Sequence, residues 1–105
     1  MTHEEVMKMV DEMGIPSAYD HFAEGESPDP PFVVFLYPKA HNFAADGKVY
    51  YKGNILNIEL YTDLKDIELE EKVEAVLDRY GIFYAKSEVW IEKENLYEVL
   101  YEMEV

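Results

Sequence analysis

Residues Lys48–Thr62, KVYYKGNILNIELYT, decide how this chain is built. Within Ile55–Thr62, Leu56, Ile58 and Leu60 point one way while Asn57, Glu59 and Tyr61 point the other. That two-residue period marks a half-buried strand. The period then changes. Leu69, Val73, Val76, Leu77 and Tyr80 recur at helical spacing until Gly81 stops the pattern. A strand feeds an amphipathic helix, with no catalytic signature in either. The chain reads as a scaffold that presents surface, and that surface is acidic and rich in tyrosine.

Toward the N-terminus, Thr2 and Glu5 form a T-x-x-E capping box. Val6, Met9, Val10 and Met13 line one face of the helix it starts, which Gly14 and Pro16 end. Ile15–Phe22 is a short, apolar-rich edge strand, and Ala23–Pro31 is a loop of acids, prolines and glycine. Phe32–Tyr37, FVVFLY, is apolar on both faces, as in a central or doubly covered strand. Pro38–Gly47 interrupts it as a loop ending in the Asp46-Gly47 turn signal. Lys48–Lys52 resumes strand character, and Gly53-Asn54 is either a second turn or a bulge in one long strand.

After the helix at Ile67–Tyr80 comes a strand, Ile82–Glu92, and then a turn at Glu94-Asn95. In the last strand, Leu96–Val105, Tyr97, Val99, Tyr101, Met103 and Val105 share one face. The expected fold is therefore α+β within a single domain, residues 1–105. A mostly antiparallel sheet of four to five strands carries two helices packed on one face. Phe32–Tyr37 and the Tyr97–Tyr101 face are expected to put aromatic residues on the side the helices leave bare, an apolar patch in a monomer.

The 105 residues suffice for one modest core, and 49% of them are hydrophobic, which excludes a disordered polyelectrolyte. With no cysteine, disulfides and thiolate metal sites are excluded. No apolar run approaches the ~18 residues of a membrane span, and MTHEEVMK is not a signal peptide. A soluble cytoplasmic protein is the expectation. The formal charge of −14 argues against direct DNA binding and against anionic membranes, because phosphate tracking needs clustered Lys and Arg. Plain solubility accounts for such a charge, as does a surface that repels nucleic acid or mimics it.

No residue pattern carries chemistry. His3, His21 and His41 lack a second His or Cys at ligand spacing, so no metal site is expected. Glu24, Glu26 and Asp29 lack the spacing of a calcium loop and read as solvated. No serine sits in a nucleophile elbow, and the five glycines form no phosphate cradle. Asp66, Glu68, Glu70, Glu71 and Glu74 surround a helix start, where acids complement the dipole, and Glu68–Lys72 is a helical pair. Trp90, on the parity of Tyr84, Lys86 and Glu88, is either core or an interface anchor. The nine tyrosines exceed what one small core needs and suggest subunit contacts. Interface candidates are Phe43, Tyr37, Tyr51, Tyr61, Trp90, Tyr97 and Tyr101. Neither catalytic residues nor a cofactor are expected.

The pattern as a whole resembles the small tail-terminator (tail-to-head joining) proteins of long-tailed phages and of prophages in Gram-positive bacteria. The resemblance rests on the opening helix with Gly14-Ile15-Pro16, Tyr19-Asp20-His21-Phe22 before the acidic proline loop, and Pro31-Phe32. Asn42-Phe43-Ala44-Ala45-Asp46 before Val49-Tyr50 and Glu59-Leu60-Tyr61-Thr62 closing a strand continue it. The helix with Val73-Glu74-Ala75-Val76-Leu77, the Tyr84 to Trp90-Ile91-Glu92 strand, Leu96-Tyr97 and Tyr101-Glu102 complete it.

The resemblance implies a non-enzymatic virion part, in the host cytoplasm during assembly and in the tail of the finished particle. It would form a ring, a hexamer, that caps the tail tube and offers the head-joining surface. Its partners would be further copies of itself, the tube protein and a head-completion or connector protein. An acidic lumen would not grip passing phosphates, and ring subunits need two different contact patches. In a second reading, a small acidic protein mimics DNA and blocks a nucleic-acid enzyme. Lys48, Lys52, Lys86 and Lys93 interrupt the acids and argue against that.

Overall fold

The computed structural model describes the backbone of residues 1–45 and 48–105 and the side chains of residues 1–40 and 53–105. The first helix, α1, is His3–Asp11. Its capping box closes as expected: the Glu5 N–H donates to the Thr2 hydroxyl at 3.1 Å and the Thr2 N–H donates to the Glu5 carboxylate at 3.1 Å. Gly14, at φ +74°, then turns the chain in a conformation that side chains rarely adopt.

Strand β1 is Ser17–Tyr19, β2 is Phe32–Ala45 and β3 is Lys48–Thr62. Helix α2 is Ile67–Arg79, capped by the Asp66 carboxylate, which accepts from the Leu69 N–H at 3.0 Å. Strands β4, Tyr84–Ile91, and β5, Leu96–Glu104, complete the chain. The five strands form one sheet in the order β1-β2-β3-β5-β4. Only the β1–β2 pair is parallel. The fold is α+β, a mostly antiparallel sheet with two helices on one face.

Alternation decides which side chains meet those helices. Val33, Leu60 and Val99 face one another across β2, β3 and β5, as do Phe35, Ile58 and Tyr101. Together with Leu56 and Met103 they join Val6, Met9, Val10 and Met13 of the N-terminal segment and Val73, Val76 and Leu77 of α2 in one buried cluster. Each such side chain contributes roughly 1.5–3 kcal/mol by leaving water. The opposite parity, Phe32, Val34 and Leu36 on β2 with Asn57, Glu59 and Tyr61 on β3, faces away from both helices.

Two expectations change here. The face carrying Tyr97, Val99, Tyr101 and Met103 is the helix-covered one, not the bare one, because it is in register with Leu56, Ile58 and Leu60. Tyr101 is 0% exposed. And Lys39–Ala45 is strand rather than loop, pairing antiparallel with Lys48–Ile55, with a register shift between Phe43 and Ala44. A first irregularity falls at Tyr37 and Pro38, two residues opposite Leu56 alone, a bulge of the kind where a proline is tolerated. Gly53 and Asn54 stay in regular register with His41 and Ala40, so they form neither a turn nor this bulge. The expected turn at Asp46-Gly47 and the side chains of Phe43 and Tyr51 lie outside the described residues.

The hairpin of β2 and β3 outruns its neighbours. β5 reaches β3 only as far as Asn54, where the N–H and carbonyl of Asn54 pair with those of Val105. β1 accompanies β2 only as far as Phe35. Among the described residues, the strand pairing of 39–45 and 48–53 is with each other, as a two-stranded arm, and the chain spans 49 Å along its longest axis against 29 and 24 Å across.

Candidate functional site

Polar chemistry concentrates in two places. The first lies on the helix side, between α2 and β4. Glu70 is only 3% exposed and accepts from Lys65 Nζ at 2.7 Å and Lys86 Nζ at 2.9 Å. Lys86 also donates to Glu74 at 2.8 Å, as does the Tyr101 hydroxyl at 2.7 Å, and Lys65 meets Glu88 of β4. Burial pushes the Glu70 carboxyl up, but the hydrogen bonds from Lys65 and Lys86 outweigh it and hold it below the ordinary carboxylate value. Burial and the Glu74 carboxylate push the Tyr101 hydroxyl far up, so it stays a donor. Charges so paired brace α2 against the edge strand.

The second place is the bare face of the sheet. Phe32 stacks on Tyr61 with ring centroids 5.1 Å apart, and Phe22, from the loop between β1 and β2, meets Phe32 edge-on at 5.3 Å. These rings, with Ile91 and Leu96, line a hollow of about 440 Å³ at one end of the face. A second hollow, of about 400 Å³, lies toward the other end against Ile55, Ala85 and Phe83, whose ring is 90% exposed. Val89, on the same face of β4, is 53% exposed. Alternation puts Leu36 and Leu100 between the two hollows.

Carboxylates thread this apolar surface. Glu98 pairs across strands with Tyr61 on one side and Val89 on the other. Burial among them, and a hydrogen bond with Glu59, raise its carboxyl from 4.5 to about 7, so Glu98 keeps its proton well above the ordinary carboxylate range. Tyr61 donates to Glu59 at 3.3 Å, and burial with these acids pushes its hydroxyl up. Glu102 extends the row opposite Asn57. Asn57 Oδ1 is buried and makes no hydrogen bond among the described residues, an uncompensated acceptor beneath the bare face.

The interface candidates separate accordingly. Tyr61 sits on the bare face. Tyr37 lies on the helix side, where its hydroxyl meets His3 Nδ1 at 2.9 Å and its ring packs near Tyr19. Trp90 and Tyr97 pack on each other at 4.6 Å on the helix side, and Trp90 remains 45% exposed. Tyr101 is core and is withdrawn from the candidates. The Glu59–Glu98 pair and the Glu70 cluster were not visible as sites in the sequence, because the first needs the register of β3 on β5 and the second needs α2 packed against Lys86 of β4 and Tyr101 of β5.

Among the described residues, no group of three or more His, Cys, Asp or Glu is placed to hold a metal ion, and no helix is long and apolar enough to cross a membrane. No model of a known protein family matches the chain, and no curated protein matches its sequence.

Proposed function

We propose that this chain is a non-enzymatic assembly protein that works as a ring of identical subunits, in the manner of a phage tail terminator that caps the tail tube and offers the head a joining surface. One observation carries the proposal: neither helix packs on the sheet face that holds Leu36, Tyr61, Leu100 and Val89, where the β1–β2 loop covers Phe32 but Val89 stays 53% exposed. A surface of that kind needs a protein partner. The Trp90–Tyr97 pair, with Trp90 45% exposed, lies on the other side of the sheet and would supply the second of the two distinct patches that a head-to-tail ring requires. Further copies, the tube protein and a head-completion or connector protein are the partners, and no cofactor takes part.

A DNA mimic would instead need a phosphate-like row of acids over a face meant for a nucleic-acid enzyme. The bare face here interleaves its carboxylates with Val34, Leu36, Val89 and Leu100, which suits a protein surface better. The two are separated by adding the purified protein to polymerising tail-tube protein. Capping predicts that tubes stop growing when the protein is present. Unaltered tube length, with stoichiometric recovery of a nuclease or restriction enzyme from host extract, would overturn the proposal in favour of mimicry.

A further inference from the structure

One edge of the sheet is long and open. Among the described residues, β4 pairs with β5 alone, in an unbroken register. It has eight residues, and every one from Ala85 to Trp90 is exposed. The opposite edge, β1, is only three residues long. Edge strands are commonly blunted by shortness, by proline, by a bulge or by a charge that repels a second strand. β4 has no proline and no bulge. Its lysine, Lys86, is drawn onto α2 by Glu70 and Glu74, and Glu88 is met by Lys65. The pairing also fixes which peptide groups face outward. Val105 exchanges both bonds with Asn54 of β3, so Tyr97, Val99, Tyr101 and Met103 turn their peptide groups to β3 as well. Leu96, Glu98, Leu100 and Glu102 turn theirs to Ile91, Val89, Ser87 and Ala85 of β4. Tyr84, Lys86, Glu88 and Trp90 are left with N–H and C=O on the open edge.

We propose that β4 pairs antiparallel with β4 of a second copy, about a two-fold axis at Ser87. In that register the strand is complementary to itself. Lys86 stands opposite Glu88 of the second copy, and Glu88 opposite Lys86 of the second copy. Tyr84 meets Trp90 and Ala85 meets Val89. One residue beyond the strand, Phe83, whose ring is 90% exposed, meets Ile91. Opposite charges and aromatic pairs directly across a ladder are favourable combinations. The Lys86 ammonium donates to Glu70 and Glu74 and has a third hydrogen for the new carboxylate. Charge and bonding exclude the neighbouring registers. A slip of two residues sets Lys86 against Lys86 in one direction and Glu88 against Glu88 in the other. A slip of one turns the open peptide groups toward residues whose own groups are spent on β5. The contact is isologous and closes at two copies. It therefore goes beyond the head-to-tail ring, which it does not build. Both use Trp90, so a copy held in a pair is withheld from a ring.

Introduced cysteines test the register, because the chain has none of its own. Ser87→Cys sets two thiols face to face at the axis, in a non-hydrogen-bonded pair with Cα atoms about 4.5 Å apart, within disulfide reach. Val89→Cys sets them about 14 Å apart, well beyond it. Both positions are exposed, and circular dichroism establishes that each variant folds. In a glutathione redox buffer, Ser87→Cys should form covalent dimer at least about tenfold faster than Val89→Cys. A mixture of Ala85→Cys and Val89→Cys should crosslink as a heterodimer. Sedimentation velocity of the wild type at physiological salt should show a dimer that dissociates on dilution. Glu88→Lys, which sets lysine against lysine, should weaken that dimer at least about tenfold. Equal crosslinking of Ser87→Cys and Val89→Cys, an undiminished dimer in Glu88→Lys, or a wild type monomeric at every concentration overturns the edge pair. Each of these outcomes leaves a ring nucleated on the tube standing.

Discussion

Glu98→Gln should stabilise this protein, and only at neutral and alkaline pH. Glu98 lies between Tyr61 of β3 and Val89 of β4 and hydrogen-bonds Glu59. Its carboxyl is raised from 4.5 to about 7 on folding, first by burial and then by Glu59. A folded-state value above the unfolded one means that the native state holds the proton more tightly. The stability from that proton is therefore complete below pH 4.5 and is lost as pH rises through about 7. Moving an acid that far corresponds to ~3 kcal/mol if nothing screens it, at about 1.4 kcal/mol per tenfold change in proton affinity. Glu98 keeps part of its water, so a loss of ~1–2 kcal/mol between pH 4 and pH 8 is the expected size. Glutamine keeps the shape, donates to Glu59 as the protonated acid does, and cannot ionise. Thermal melts at several pH values read the difference. At pH 8 the variant should melt roughly 5–10 °C above the wild type, and at pH 4 the two should coincide. An equal Tm difference at both pH values, or a variant less stable at pH 8, would refute the raised Glu98 carboxyl.

Tyr101 should behave as a core residue: Tyr101→Phe, which removes the bond to Glu74, should cost about 1 kcal/mol in denaturant melts, and Tyr101→Ala about 3–5 kcal/mol. A near-neutral Tyr101→Ala would return it to the surface. Glu70→Gln leaves Lys65 and Lys86 with weaker acceptors, and with both lysines partly solvated the loss should be about 1–2 kcal/mol. Because charge pairing holds the Glu70 carboxyl low, the wild type's advantage over Glu70→Gln should be present at neutral pH and disappear as the carboxylate is protonated in acid.

Where local chemistry decided structure, the sequence was legible. The Thr2–Glu5 box, the helix from Ile67 and the alternation of Leu56, Ile58 and Leu60 all stand where their spacing puts them. So does Phe32–Tyr37 as an inner strand, with Phe32 stacked on Tyr61 on the bare side. The face of β5 did not follow. Alternation shows that Tyr97, Val99 and Tyr101 share a side but not which side, since that depends on pairing with β3. Lys39–Ala45 read as a loop because a ribbon outside the core needs no apolar period, and Pro38 looked like a stop rather than a bulge. The acids were visible one by one. Glu59 beside Glu98 and Glu70 between two lysines exist only once residues tens of positions apart are brought together.

The central claim is self-assembly through surfaces the monomer leaves bare. Light scattering coupled to size exclusion, over a concentration range and with or without tail-tube protein, measures it most directly. The account predicts a closed oligomer of defined mass, a hexamer, either in the free protein or nucleated on the tube. A single species at the monomer mass of 12.3 kDa under both conditions would contradict it.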